Sequence, residues 1–320
     1  MPIGKTGGIL QIMASAKSCK LCLQIIPDHI YFVTFSYFHS TITFLFDKRP
    51  IFGYTIYKIR KQVKIMKLVV KVGTSTLAHA TGRLNIRRTE ALCRVLSDLK
   101  NAGHEVILVS SGAIGMGVGK LNLKEKPADI PTKQAAAAVG QCELMYTYDR
   151  LFTEHNHTVA QILLTGADFE AMDRHENFNN PLSRLLELGV LPVINENDTI
   201  ATDEIKVGDN DTLSAYVAAS AKANLLIILS DVDGLYDADP HKNTEAKLIE
   251  QIHGMPERLF SLAGGEGSAL GTGGMKTKLS AAKICVENGV DMAIANGEAP
   301  NILYDIVAGK LGGYTKFFAK

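Results

Sequence analysis

The 320-residue sequence has no tryptophan, only five cysteines and a net charge of just +1. Cys93, Cys142 and Cys285 are scattered over helix-like stretches, so they imply no disulfide framework and favour a reducing cytoplasm. Cys19 and Cys22 have no second pair with which to complete a zinc site. The balanced charge argues against nucleic acid as a partner. Composition therefore favours a cytoplasmic protein without structural disulfides or zinc.

Common nucleotide-binding and catalytic signatures are also missing. The sequence contains no Gly-x-x-x-x-Gly-Lys-[Ser/Thr] loop, no protein-kinase signature and no His/Cys constellation of metal ligands. A dinucleotide fingerprint opening at Gly115 and Gly117 would need a third glycine at position 120, which is Lys120. These absences argue against a P-loop enzyme, a protein kinase and a dinucleotide-binding protein, and no metal ligand is assigned.

The first 65 residues differ in composition from the rest of the chain. They hold nine basic and two acidic residues, whereas residues 66–320 hold 25 basic and 31 acidic residues. The uncharged run over residues 30–46 is short for a membrane span, and it is interrupted by Ser, His and Thr. We expect residues 1–65 to be an extension without function, either disordered or translated from too early a start. A weak anchor or a targeting leader is the alternative.

From Met66 onward, short apolar runs alternate with segments of helical spacing. The pattern predicts strands over residues 67–72, 104–110, 157–164, 190–194, 224–230 and 290–295. It predicts the main helices over residues 86–102, 131–155, 177–188, 213–222 and 275–288. Apolar strands that alternate with helices are typical of a parallel sheet covered on both faces. We therefore predict an α/β fold for residues 66–320, a three-layer αβα sandwich with a mostly parallel central sheet.

A polar loop over residues 193–211 lies between an apolar strand end and a helix. It carries two clusters of carboxylates and carboxamides, residues 195–198 and residues 209–211. An arbitrary acidic run is more often a solvated surface loop. Open α/β sheets, however, bind their ligands in the crevice at the carboxyl ends of the strands. This loop is therefore a candidate substrate site.

Three other loops combine small residues with a few polar ones. Lys71 ends a strand beside Gly73, where it could reach a phosphate whose oxygens the backbone N–H groups bind. Residues 110–115 form a potential nest of N–H donors suited to an anion. Lys276 and Lys278 lie at a helix N-terminus, where positive charge is unfavourable unless an anion such as polyphosphate lies opposite. Alternatively, the lysines are ordinary strand-edge or solvated surface residues.

Taken together, these segments resemble the amino acid kinase family, and within it the glutamate 5-kinases, over nearly all of residues 66–320. The resemblance rests on residues 70–75, 111–114, 193–198, 204–211, 233–236 and 271–278. Asn-Glu-Asn-Asp at 195–198 paired with Lys-Val-Gly-Asp-Asn-Asp at 206–211 is specific to these kinases. The lysine, the glycine loop and Asp-Gly-Leu-Tyr are shared more widely, with acetylglutamate, aspartate, uridylate and carbamate kinases.

The resemblance implies a role for individual residues. Lys71 and Lys278 would contact the transferred phosphate, and Asp211 would hold both lysines in place. Ser111, Asp198 and Asn210 would bind glutamate, with Asp198 gripping its α-ammonium group and Asn210 donating to a carboxylate. The residues implied to bind ATP are Lys71, Gly73, Ser230, Asp231, Thr272, Gly273, Gly274, Met275, Lys276, Thr277 and Lys278. Mg²⁺ would be held mostly through water and phosphate.

The resemblance implies ATP-dependent phosphorylation of the side-chain carboxylate of L-glutamate to L-glutamyl 5-phosphate, the first step of proline biosynthesis. Glutamate would bind to the N-terminal half and ATP to the C-terminal half. It further implies feedback inhibition by L-proline, a homo-oligomer (dimer or tetramer) and hand-off to glutamyl phosphate reductase, with no membrane or nucleic-acid partner. The chain ends at Lys320, so we expect a short form that lacks the C-terminal PUA domain.

Two alternatives compete with this function. The first is another kinase of the same fold that acts on acetylglutamate or on a nucleotide. The second is a non-catalytic metabolite sensor, against which the intact Lys71, Asp211 and Lys278 argue.

Overall fold

In the computed structural model the chain divides into two compact units, residues 1–64 and 65–320. The structure describes residues 65–319 except 80–82, 126, 171, 201–208, 239–242, 244, 257–258 and 261–273, and, within residues 1–64, the backbone of six strands. These strands are β1 (Gly4–Thr6), β2 (Ile9–Ala16), β3 (Cys19–Ile26), β4 (Ile30–Tyr37), β5 (Ser40–Asp47) and β6 (Tyr57–Arg60). They pair antiparallel in chain order. That residues 1–65 are an extension without function stays a prediction.

The second unit is built on an eight-stranded sheet. Its strands are β7 (Lys67–Val72), β8 (Glu105–Ser110), β9 (Val159–Leu164), β10 (Leu191–Glu196), β11 (Leu225–Ser230), β12 (Gln251–His253), β13 (Asp291–Asn296) and β14 (Tyr314–Phe318). Their order across the sheet is β12-β14-β13-β11-β7-β8-β10-β9. The six strands from β13 to β9 run parallel, and β14 joins β13 antiparallel. The prediction of a mostly parallel α/β sheet is confirmed.

Helices cover both faces of this sheet. They are α1 (Thr74–Leu77), α2 (Ile86–Asn101), α3 (Ala113–Lys120), α4 (Ile130–Thr153), α5 (Ala167–Glu170), α6 (Met172–Glu187), α7 (Asn210–Ser220), α8 (Met275–Glu287) and α9 (Ile302–Val307). Because side chains alternate along a strand, Val69 of β7 joins a core with α6, α7 and α8. Val70 joins a separate core on the opposite face, with α2 and α4. The two cores make a three-layer sandwich.

Local chemistry explains where the helices begin. The side chain of Asn85 accepts a hydrogen bond from the backbone N–H of Arg88 at the start of α2. At the start of α4, Asp129 accepts in the same way from the N–H of Thr132. Such caps satisfy backbone donors that have no partner inside the helix. No helix in the described part of the chain is long and apolar enough to cross a membrane.

Helices α3 and α4 lie in backbone contact at two glycines. A Cβ atom on Gly140 would lie 1.7 Å from the carbonyl oxygen of Ala113, and one on Gly117 would lie 1.8 Å from that of Ala136. Any side chain at either position would force the helices apart. This contact holds α4 against the loop that follows β8, where one of the predicted substrate residues lies.

Candidate active site

The predicted site residues converge at the carboxyl ends of neighbouring parallel strands. Lys71 lies near the end of β7, Ser111 directly follows β8, and Ser230 ends β11. These strands are adjacent in the sheet, with β7 between β8 and β11. The start of α7 supplies Asn210 and Asp211 at the same edge. The arrangement matches the crevice in which open α/β sheets bind their ligands.

Asp211 is the centre of a buried charge cluster. Its Oδ1 lies 2.6 Å from Nζ of Lys71, and its Oδ2 lies 3.2 Å from Nζ of Lys278. The hydroxyl of Thr277 donates to the same Oδ2 at 3.0 Å. Asp211 is fully buried, while Lys71 is 8% and Lys278 5% exposed. The carboxylate thus holds two lysines from different elements side by side.

Opposing forces act on the ionisation of Asp211. Burial favours its neutral form, but the charges of Lys71 and Lys278 and their hydrogen bonds outweigh burial and hold the pKa below its usual value. A position in the first turn of α7 adds the favourable end of the helix dipole. The carboxylate therefore stays charged and holds one ammonium group on each of its two oxygens.

Asp209 fixes the first turn of α7. Its Oδ1 accepts from the backbone N–H groups of Asp211 at 2.7 Å and of Thr212 at 2.8 Å. Burial raises the pKa of Asp209, and the neighbouring charge of Asp211 adds to the shift. As an N-cap, Asp209 sets the backbone from which Asn210 and Asp211 project.

Asn210 links the loop after β8 to β10 in the part of the site predicted to bind substrate, which we call the substrate end. Its Nδ2 donates to Oγ of Ser111 at 2.7 Å and to Oδ1 of Asn195 at 3.0 Å. Its own Oδ1 is buried and accepts no hydrogen bond from the residues that the structure describes. The structure thus brings the predicted residues Ser111 and Asn210 together. It also adds Asn195, whose only signal in the sequence is its place in the Asn-Glu-Asn-Asp run.

Asp198 lies two residues beyond the end of β10 and is partly buried. Burial raises the pKa of its carboxyl to about 6. Among the described residues, no lysine or arginine forms an ion pair with it, and no hydrogen bond joins it to Ser111 or Asn210. A cationic ligand group would lower that pKa again. Residues 201–208 of the polar loop lie outside the described residues.

On the nucleotide side, the structure describes most of the predicted residues. Gly73 follows β7 directly as the N-cap of α1. The hydroxyl of Ser230 donates to the carboxylate of Asp231 at 3.0 Å. Thr272 and Gly273 lie outside the described residues.

The start of α8 carries the remaining predicted nucleotide residues. Gly274 is its N-cap and Met275 its first residue. The hydroxyl of Thr277 also lies 2.7 Å from the carbonyl oxygen of Gly274, so its single proton is shared between this oxygen and Oδ2 of Asp211. Lys276 is exposed, whereas Lys278 is buried in the charge cluster. The two lysines at this helix start therefore differ, and only Lys278 joins Lys71.

A second group of hydrogen bonds joins the loop after β11 to β13. The sequence did not reveal it. Nδ2 of Asn296 donates to Oδ1 of Asp233 at 3.0 Å, and the hydroxyl of Tyr236 donates to Oδ2 at 3.1 Å. Asp233 and Tyr236 belong to the Asp-Gly-Leu-Tyr segment, but Asn296 stands 60 residues further along the chain. The group fixes the loop beside Ser230 and Asp231.

Comparison with known proteins identifies the family. The model of the amino acid kinase family matches residues 66–296. Glutamate 5-kinase of Caldanaerobacter subterraneus subsp. tengcongensis is 54% identical over 250 residues, which cover 78% of this chain and 67% of that protein. Glutamate 5-kinase of Clostridium perfringens is 52% identical over 267 residues, which cover 82% and 99% of the two chains.

Solved structures share the fold at low sequence identity. Carbamate kinase from Giardia lamblia bound to AMP-PNP superposes with a TM-score of 0.57 at 16% identity, covering 80% of this chain and 99% of that one. UMP kinase from Ureaplasma parvum gives a TM-score of 0.56 at 17% identity, with the same coverage. With a family match over most of its length and close relatives that are glutamate 5-kinases, this chain belongs to the amino acid kinase family.

Proposed function

We propose that this protein transfers the γ-phosphoryl group of ATP to the side-chain carboxylate of L-glutamate, giving L-glutamyl 5-phosphate and ADP. This reaction is the first step of proline biosynthesis. The observation that carries the proposal is the buried Asp211 holding Lys71 and Lys278 side by side at the carboxyl edge of the sheet. The relatives that are glutamate 5-kinases supply the identity of the acceptor.

The charge cluster fits the demands of this phosphoryl transfer. A carboxylate oxygen forms a bond to the γ-phosphorus while the bond from phosphorus to the bridging oxygen of ADP breaks. The acceptor is already an anion, so no general base is needed. The barrier comes from repulsion between the anionic reactants and from their misalignment. Positively charged side chains in fixed positions reduce the repulsion and align the reacting groups. Lys71 and Lys278, oriented by Asp211, supply that charge.

Mg²⁺ adds charge neutralisation of the ATP phosphates when it is bound. Among the described residues, no three His, Cys, Asp or Glu side chains converge as a metal site. Mg²⁺ usually keeps phosphate and water oxygens among its ligands in such enzymes, so it would enter the site with ATP. Within the charge cluster, the carboxylate of Asp211 is committed to the two lysines.

Glutamate binding falls to Ser111, Asn210 and Asp198. The Nδ2 of Asn210 already donates within the chain, so its Oδ1 is the atom left for the ligand. An acceptor oxygen suits the α-ammonium group of glutamate and not a carboxylate, so we propose an acceptor role for Asn210 in place of the donor role that the resemblance implied. The carboxylate of Asp198 offers a second, charged acceptor for the same ammonium group.

We also propose three finer features that the resemblance to this family implies. L-Proline acts as a feedback inhibitor at or beside the glutamate pocket, because it shares the ammonium and carboxylate groups attached to the α-carbon. The protein forms a homo-oligomer (dimer or tetramer) and passes its labile acyl phosphate to glutamyl phosphate reductase. The free cysteines Cys93, Cys142 and Cys285 support a cytoplasmic setting.

The activity resides in residues 66–320, with glutamate bound by the N-terminal half and ATP by the C-terminal half. In support, the family model begins at residue 66, and residues 65–320 form a compact unit. Deleting residues 1–65 should leave kcat and the KM for glutamate unchanged. Loss of active protein would show that these residues are required.

The test is an acyl-phosphate assay with the full chain, ATP, Mg²⁺ and L-glutamate, in which hydroxylamine traps the product as a hydroxamate. N-Acetylglutamate and aspartate serve as competing acceptors. Hydroxamate from glutamate is the expected result. Hydroxamate from N-acetylglutamate or aspartate but not from glutamate would assign another substrate. Tight proline binding without turnover of any acid would favour the metabolite sensor.

A further inference from the structure

A chain of four carboxamides leads from the substrate end, through the buried Asn195 and Gln141, to the exposed Gln161. Asn210 donates to Asn195, whose Nδ2 donates to Oε1 of Gln141 at 2.9 Å. Nε2 of Gln141 in turn donates to Oε1 of Gln161 at 2.9 Å. The four residues come from α7, β10, α4 and β9. In each of these three bonds the donor belongs to the residue nearer the substrate end, and Oδ1 of Asn210 accepts no hydrogen bond from the described residues.

A backbone group fixes the direction of this chain. The N–H of Glu196 donates to Oδ1 of Asn195 at 2.9 Å. Because a backbone N–H can only donate, the oxygen of Asn195 must lie on that side and its Nδ2 on the other. Asn195 then needs a donor from Asn210 on one side and an acceptor from Gln141 on the other.

Gln141 supplies this acceptor, and both it and Asn195 are buried. Asn195 is 1% and Gln141 7% exposed, so water cannot readily replace either partner. A buried amide donor without an acceptor is costly. Without Gln141, the Asn195 side chain would be held only by the N–H of Glu196 and by Asn210, so its amide would shift from its present position. Nδ2 of Asn210 would then lose a fixed acceptor, and the oxygen of Asn210 would no longer be held towards the ligand.

The position of Gln141 is fixed by packing. It follows Gly140, the residue at which α4 touches the backbone of α3. Helix α3 in turn follows Ser111, which accepts from Asn210 directly. One rigid helix pair therefore supports both contacts that orient Asn210.

From these contacts we propose that Gln141 is a positioning residue for the amino acid substrate. Through Asn195, it keeps the oxygen of Asn210 turned towards the ligand as an acceptor for the α-ammonium group. This inference rests on the proposed function, because it takes glutamate as the ligand. It predicts an effect on recognition of the ammonium group that is separate from phosphoryl transfer.

The experiment compares Gln141→Met with Gln141→Glu in the full chain, using the hydroxamate assay. Met has a similar length but cannot accept from Asn195, whereas Glu can. Loss of one hydrogen bond in the chain should raise the KM for glutamate about tenfold in Gln141→Met. Both kcat and the KM for ATP should change by less than about threefold, because the charge cluster is untouched. Gln141→Glu should restore the glutamate KM to within about threefold of the wild type.

Two controls separate positioning from stability. Gln161→Ala removes only the exposed outer end of the chain and should leave the glutamate KM within about twofold. Glutarate, which has no ammonium group, should be used equally well by the wild type and Gln141→Met. Thermal melting verifies folding, and Gln141→Leu, which also offers no acceptor to Asn195, replaces Gln141→Met with the same expectation if the latter does not fold.

An unchanged glutamate KM in Gln141→Met would overturn the positioning role while leaving the proposed function intact. An equal rise for glutamate, glutarate and ATP would also overturn it, since it would show a general structural effect. A wild-type chain that neither binds nor phosphorylates glutamate would overturn the proposed function, and this inference with it.

Discussion

The two ends of the site are built from different chemistry. At the phosphate end, Lys71 and Lys278 flank the carboxylate of Asp211, and all three are buried. At the substrate end, Asn210 and Asn195 form hydrogen bonds between neutral amides, and Asp198 is the one carboxylate among the residues proposed to bind glutamate. Phosphoryl transfer needs neutralising charge, whereas recognition of a zwitterion needs acceptors and donors in fixed directions. The difference indicates a division of labour, in which one end serves phosphoryl transfer and the other serves substrate recognition.

The two ends nevertheless share one structural origin. Asn210 and Asp211 are neighbours in the first turn of α7, and the cap formed by Asp209 holds both. Adjacent residues on a helix project in different directions, so one helix start can serve both ends. Substitutions that act on one end and not the other can therefore test the division of labour.

The largest effect is expected from Lys278→Ala, which removes one positive charge from the phosphate end. We expect kcat to fall about 10²–10³-fold, as for loss of one preorganised transition-state donor, with a much smaller change in glutamate binding. The matched control is Lys283→Ala, which removes an exposed lysine from the same helix. The hydroxamate assay measures both variants. An unchanged kcat in Lys278→Ala would remove this lysine from the mechanism.

Asp211→Asn should come next, with kcat lowered about 10²-fold. The amide keeps the size of the side chain but no longer offsets the charges of Lys71 and Lys278, so the lysines repel each other and separate. The control is Asp305→Asn, which disrupts an exposed ion pair with Lys310. A kcat within a few-fold of the wild type would show that the lysines keep their positions without Asp211.

At the substrate end, Asp198→Asn should raise the KM for glutamate about 30-fold, because it removes the charged partner of a buried ammonium group. kcat at saturating glutamate should change by only a few-fold. Asp173→Asn, at an exposed position, is the control. A large fall in kcat with an unchanged KM would move Asp198 from substrate binding to the chemical step.

The smallest effect expected is a pH dependence of glutamate binding. The pKa of Asp198 is about 6 without ligand, and the ammonium group of glutamate favours the ionised form. Below pH 6 binding must first remove a proton, so the KM should rise as pH falls, approaching tenfold per pH unit. Above pH 6 it should level off. A KM profile in Asp198→Asn that kept the same bend near pH 6 would assign it to another group.

Sequence reasoning predicted much of the fold and marked the two lysines of the charge cluster because these leave local signals, whereas the pairing of both lysines with Asp211 was implied by the family resemblance. Apolar runs marked β7 and β11, and Lys71 and Lys278 stood out beside glycines at element ends. Helix α3 was expected to be a loop, since its three glycines weaken an isolated helix. Packing against α4 through Gly117 and Gly140 overrides that preference.

No local feature of the sequence marks the chain of carboxamides from Asn210 to Gln161. Gln141 lies 54 residues from Asn195 and, like Gln161, looks in the sequence like an ordinary polar residue. Their contact depends on β9 and β10 pairing in a particular register and on α4 lying close to α3. Asn296 was missed for the same reason, because its partner Asp233 lies on another strand connection. Contacts between distant elements follow from tertiary packing.

The most direct test of the division of labour is the double variant Lys278→Ala with Asp198→Asn, measured beside both single variants in the hydroxamate assay. Independent ends predict additive effects. The double variant should show the kcat of Lys278→Ala together with the glutamate KM of Asp198→Asn. A double variant whose glutamate KM returned to that of Lys278→Ala, or whose kcat fell well below it, would contradict the account.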